Sequence, residues 1–279
     1  MNRNSFPVCD AVENCPIGVD VVIRSSDGIL FGAHTKNLEL FSESFPDPDG
    51  FKSTRDERIP DIVDLVENAA TIRLFLTFTH NGDHRALLDT LSLTTLIELT
   101  GVADKYGNHF ALGMCLMAID KIATQPRISG LDCLKILLLK SSCDHLYAID
   151  LVARRALSVP LPQAIPYFQD NLETYMFYTQ YRDQWRECTI NFQAILKQAP
   201  RISKVSRNSP EAKITNAIRF LKSTLETAEF PTHTMIDDGL RISEAWSVVN
   251  VSTDTRTSGW IRKLRAAIDA FPRWSRFQS

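Results

Sequence analysis

The stretch "DVVIRSSDGILFGAHTKNL", residues 20 to 38, constrains the fold more than any other part of this chain. Val21, Val22 and Ile23 form one apolar run, and Ile29, Leu30 and Phe31 form another. Between them Ser26-Asp27-Gly28 supplies a turn in which glycine adopts positive φ without steric cost, so the segment predicts a β-hairpin. A helical pattern follows at once, with Leu38 and Phe41 on one face and Leu40 nearby. It stops before "FPDPDG", whose prolines and glycine cannot continue a helix. "IVDLV", residues 62 to 66, reads as a third strand. The order strand, turn, strand, helix, strand, followed by helices, predicts an α+β, helix-rich fold.

The rest is helical in pattern. Asn68 is placed to cap a helix carrying Ile72, Phe75, Leu76 and Phe78, and Gly82 stands where a left-handed stop is expected. Leu96, Leu99, Ala103 and Tyr106 mark the next helix, and Gly107-Asn108 ends it and caps another. That next stretch, "FALGMCLMAI" at 110 to 119, is apolar on nearly every side, which predicts burial all round. Helical segments are expected at about 131 to 140 and 145 to 157, then one long helix over 174 to 196 with Trp185, Phe192 and Leu196 on a shared face. "KQAPRISKVSRNSP", 197 to 210, has basic residues and serines but no acids and reads as an exposed linker. Ser209-Pro210-Glu211 is a helix-start signal. "WIRKLRAAIDAF", 260 to 271, places Ile261, Leu264, Ile268 and Phe271 on one side and basic residues on the other.

At 279 residues the chain exceeds one comfortable core, so one domain with an extension, or two domains, is expected. Its 31 basic and 33 acidic residues give a net charge of -2, which offers no general field for nucleic acid or an anionic membrane. Six cysteines without a Cys-x-x-Cys pair suggest a reducing compartment. With no apolar leader or membrane-length apolar run, the expectation is an intracellular protein of the cytoplasm, the nucleus or both.

Three blocks carry a family resemblance. "DVVIRSSDGILFGAHTKNLELFSESF" resembles the start of a BTB/POZ domain, in which an Asp-led strand passes through Phe-x-Ala-His into a helix ending near Ser-x-x-Phe. "VDLVENAATIRLFLTFTHNG", 63 to 82, is similar to the family's third strand and following helix, and "GVADKYGNHFALGMCLMAI", 101 to 119, to its last helix pair. Loop spacing and the later "YRDQWREC" resemble the large set of BTB proteins of mushroom-forming fungi. The resemblance implies a BTB/POZ fold, a short β-sheet with flanking helices, followed by an all-α C-terminal region. The division it suggests is a tail at 1 to 18, a BTB/POZ domain at 19 to 123, a helical extension at 124 to 197, a basic linker at 198 to 210 and a C-terminal helical region at 211 to 279.

The same resemblance implies a non-enzymatic protein-protein interaction scaffold that forms a homodimer and meets a further, unidentified protein partner. Asp20, Phe41 and Phe45 are the residues it offers for partner binding. Two departures bear on this. Only a short tail precedes Asp20, where many transcription-factor members have a long dimer-building helix. Gly32 stands where those members often have the arginine that pairs with the strand-leading aspartate. An alternative is a substrate adaptor for a cullin-type ubiquitin ligase. Such adaptors resemble this chain in having helices directly after the core, but "PDPDGFKS" lacks their hydrophobic-x-Glu contact.

Within the resemblance His34 belongs to the frame, filling volume at the strand-to-helix junction while its nitrogens bond backbone. "HNGDH", His80 to His84, spaces two histidines as a zinc-binding helix does, which makes a metal-dependent enzyme a remote alternative; Gly82 argues against the unbroken turn it needs. "CDH", 143 to 145, reads as a turn in which Asp144 caps a helix rather than as a thiol-imidazole pair. No catalytic, metal or cofactor residues are therefore expected. Arg201, Lys204 and Arg207 of the linker, and Arg262, Lys263, Arg265, Arg273 and Arg276 around Trp274, are the basic candidates for nucleic acid, but they read as solvated faces, and neither nucleic acid nor membrane is expected as a partner. Ser203, Ser206 and Ser209 lie beside basic residues as candidates for phosphorylation.

Overall fold

The computed structural model describes residues 8, 9, 11, 12, 14–45, 61–139, 148–169, 171–200, 210–227, 230, 231, 233–249 and 255–274. These divide into two compact units, Met1–Pro126 and Arg127–Ser279.

Among the described residues the first unit has three strands: β1 (Val21–Arg24), β2 (Leu30–Ala33) and β3 (Asp61–Asp64), in the order β2-β1-β3. β1 pairs antiparallel with β2, Val22 facing Gly32, and in parallel with β3, Val22 facing Ile62. Val21, Val22 and Ile23 are all buried, as befits a central strand covered on both faces, and their unbroken apolar run records this. Gly28 takes φ +83 in the hairpin turn. Beside it, the Asp27 carboxylate accepts the Ala69 N–H at 2.9 Å, joining the turn to the start of a helix.

Among the described residues this unit also holds five helices: α1 (Thr35–Phe41), α2 (Ala69–Thr77), α3 (Arg85–Thr90), α4 (Leu93–Lys105) and α5 (His109–Ala123). Asn68, Ser92 and Asn108 cap α2, α4 and α5 by accepting the N–H of Thr71, Thr95 and Ala111. Ile72, Phe75, Leu96, Leu99, Ala103, Ala111, Cys115 and Ile119, on α2, α4 and α5, are buried, and α4 packs on both α2 and α5. Gly107 at φ +65 makes the turn between α4 and α5.

Two expectations fail. Gly82 does not end α2 in the left-handed region: the helix finishes at Thr77, and a Cβ on Gly82 would stand 3.3 Å from the His84 ring, so the glycine makes room for that imidazole. α5 is not buried all round, since Phe110 is 45% and Met117 67% exposed. The short α3 is a helix that the apolar pattern does not predict.

The second unit contains α6 (Gly130–Leu137), α7 (Ile149–Ala156), α8 (Leu161–Ala164), a 3-10 turn at Ile165–Phe168, α9 (Leu172–Lys197), α10 (Pro210–Thr227), α11 (His233–Val249) and α12 (Thr255–Asp269). α9 is the single long helix expected, and it buries Tyr178, Tyr181, Trp185, Phe192 and Leu196. α10 and α12 both pack on α9, and α11 packs on both of them, so helices on either side of residues 198 to 210 share one compact unit. Among the described residues no helix is long and apolar enough to cross a membrane.

Candidate functional site

His34 sits where β2 passes into α1, and His80 lies three residues beyond α2. Both are buried, at 2% and 6% exposure, and their rings meet edge-on with centroids 5.2 Å apart. Each imidazole is held from behind. His34 Nδ1 lies 2.9 Å from the Gly18 carbonyl oxygen, and His80 Nδ1 lies 2.9 Å from that of Leu76. A carbonyl only accepts, so each Nδ1 carries the proton and each Nε2 points its lone pair the other way.

What both Nε2 atoms face is sulfur. Cys15 Sγ is 3.3 Å from His34 Nε2 and 3.7 Å from His80 Nε2, and Cys9 Sγ is 3.4 Å from His80 Nε2. The four donor atoms of Cys9, Cys15, His34 and His80 all lie within 4.8 Å of one another. Burial pushes the Cys9 thiol pKa up. For His80, burial is the largest influence and lowers the pKa; the Leu76 hydrogen bond opposes it, and the neighbouring His34 and His84 imidazoles lower it further. The His80–His84 pairing suggested by sequence spacing does not form a shared site. His84 Nε2 is 3.0 Å from the His80 carbonyl, and its ring lies among Phe78 and Phe110, 4.7 and 5.8 Å away.

The other sequence candidates fall elsewhere. Asp20 Oδ1 accepts the Thr35 N–H at 2.7 Å and the Thr35 hydroxyl at 3.2 Å, so this carboxylate caps the start of α1. Phe45 is half-buried against Tyr106, ring centroids 5.4 Å apart, and Phe41 is half-buried against Phe110 at 6.4 Å. Ser203 and Ser206, Ser209, the linker cations, Arg276 and Cys143 to His145 lie outside the described residues. Trp274 is 1% exposed and meets Tyr181 edge-on at 5.3 Å, so it offers no face on which a base could stack.

Cys9 and Cys15 are not among the site residues expected from sequence, because residues 1 to 18, with few periodic apolar positions, read as a tail. The available signal was compositional: two cysteines in seven positions just before a strand that leads into a histidine.

No protein-family model matches the chain, and no curated protein matches it significantly.

Proposed function

We propose that this chain is a BTB/POZ-type protein-interaction scaffold that acts by self-association rather than by catalysis. One observation carries the reading: large apolar side chains stand in solvent on two adjoining helices of the first unit. Leu40 on α1 is 75% exposed, and Phe110 and Met117, seven residues apart on one side of α5, are 45% and 67% exposed. The Phe41 and Phe110 rings meet at the junction of the two helices, where His109 also lies 3.2 Å from the Glu43 carboxylate. A second copy of the chain is the fitting occupant. A two-fold axis sets the same apolar patch against itself, and removing it from water stabilises the pair by about 25 cal/mol per Å² before the costs of association. A net charge of -2 opposes this little.

Light scattering on the full chain across a range of concentrations tests the proposal. A dimer is expected, and Leu40→Lys combined with Met117→Lys should give a monomer with unchanged circular dichroism. A wild-type monomer at every concentration overturns it. If that monomer also binds a cullin saturably, the substrate-adaptor reading takes its place.

A further inference from the structure

We infer that Cys9, Cys15, His34 and His80 form a structural zinc site that fastens the leading segment to the first unit. This goes beyond the scaffold reading and does not depend on it.

The geometry fits the ion. Zinc bonds of about 2.3 Å to sulfur and about 2.0 Å to nitrogen, at a tetrahedral angle, set sulfur and nitrogen about 3.5 Å apart. The three such separations here are 3.3, 3.4 and 3.7 Å. The chemistry fits as well: two thiolates and two imidazoles favour zinc among the common divalent ions. Binding releases the two thiol protons, and the two negative charges left on sulfur balance the ion's two positive ones. The buried centre is then neutral, as a site beside two histidines with under a tenth of their surface exposed requires.

The outer hydrogen bonds are also in place. The carbonyls of Gly18 and Leu76 fix both imidazoles with Nε2 toward the sulfurs, the orientation that metal-bound histidines receive from their supporting partners. The Gly18 carbonyl adds to this because it belongs to the same leading segment as the two cysteines, so that segment both donates ligands and orients one. Four protein donors leave no position for water or substrate, which makes the site structural rather than catalytic. It joins points 71 residues apart in the chain, between Cys9 and His80.

The full chain, expressed with zinc supplementation and purified without chelator, is the material for the test. Elemental analysis is expected to find one zinc per chain after dialysis, and Cys9→Ser combined with Cys15→Ser should lose it. That double variant leaves His80 and His84 intact, so zinc surviving it would assign the metal to the wrong residues and overturn the site. Because a variant can misfold, the wild-type chain is also stripped and refilled with Co2+. Tetrahedral visible absorption with a thiolate charge-transfer band is expected. A wild-type chain that neither retains zinc nor gives this spectrum refutes the proposal, and so does a Cys9–Cys15 disulfide found by peptide mapping of the zinc-supplemented protein.

Discussion

Arg182 donates through Nη1 to the Val159 carbonyl at 2.8 Å, tying α9 to the chain that leaves α7. The same nitrogen reaches the Leu157 carbonyl at 3.0 Å, and the Tyr178 hydroxyl donates to the Ala156 carbonyl at 2.8 Å. The last carbonyls of a helix have no partner within it, and here two side chains of a neighbouring helix satisfy them with a cation set at the negative end of the dipole. Arg182 is only 6% exposed. Arg182→Ala is therefore expected to destabilise the chain by about 3 kcal/mol, as for removal of a buried, charged donor. Arg182→Lys should recover only part of that, since an ammonium does not stack as the guanidinium does over the Phe230 and Tyr178 rings, 4.8 and 5.7 Å away. Denaturant titration of the three proteins measures both; equal stability of wild type and Arg182→Ala would contradict the account.

A second expectation concerns acid. Glu67 Oε1 accepts from Lys105 Nζ at 2.6 Å, and its Oε2 accepts from the Tyr106 hydroxyl at 2.9 Å. Partial burial alone would push the Glu67 carboxyl up, but these two bonds outweigh it and hold the pKa below the ordinary value of 4.5. A depressed folded-state value means that the contribution to stability is fully present above pH 4.5 and is lost as pH falls through the lower, folded value. Glu67→Gln should cost about 1 to 2 kcal/mol at neutral pH. It should also flatten the acid limb of a plot of melting temperature against pH; an unchanged slope would show that the pair contributes nothing.

Asp20 supplies a cap from outside the helix it serves. Removing this carboxylate by Asp20→Ala leaves the Thr35 N–H without its acceptor and should cost about 1 kcal/mol, with Asp20→Asn losing less. Thermal melts separate this role from partner contact: a variant of full stability that fails to self-associate would return Asp20 to the binding surface.

Buried thiols should differ from exposed ones in reactivity. Burial pushes the Cys115 pKa up to about 12 and that of Cys133 up to about 11, and neither side chain is open to solvent. Alkylation of the native chain, mapped by mass spectrometry, is expected to spare both, with labelling only after unfolding. Rapid modification of Cys115 in the native state would contradict the packing of α5.

Where the sequence could be read, the information was local. The β1–β2 hairpin is encoded by two apolar runs around Gly28, and the starts of α2 and α5 by Asn68 and Asn108, each acting within three residues of itself. α3 was missed because RALLDT is short and has no side-chain cap bond at His84. The apolar run in α5 suggested burial on every side, but composition does not tell a buried apolar side chain from an exposed one; Phe110 and Met117 required coordinates. His34 shows the same limit within one ring. Its Nδ1 bonds backbone, as its place at a strand-to-helix junction suggested, whereas its Nε2 faces Cys15, a relation that spacing does not encode. The four donors come from positions 9, 15, 34 and 80, and only the folded chain brings them together.

The placement of β1 between its neighbours carries a consequence for assembly order. β2 joins β1 through a tight turn, while β3 is a parallel partner whose Asp64 meets Arg24 from 40 residues further along. Short-range pairing closes fast and long-range pairing slowly, because the intervening chain must surrender its freedom first. During synthesis the β1–β2 pairing is thus within reach once Ala33 has emerged, but a lone hairpin is marginal in water, so the edge of β1 gains its lasting cover only when residues 61 to 64 arrive.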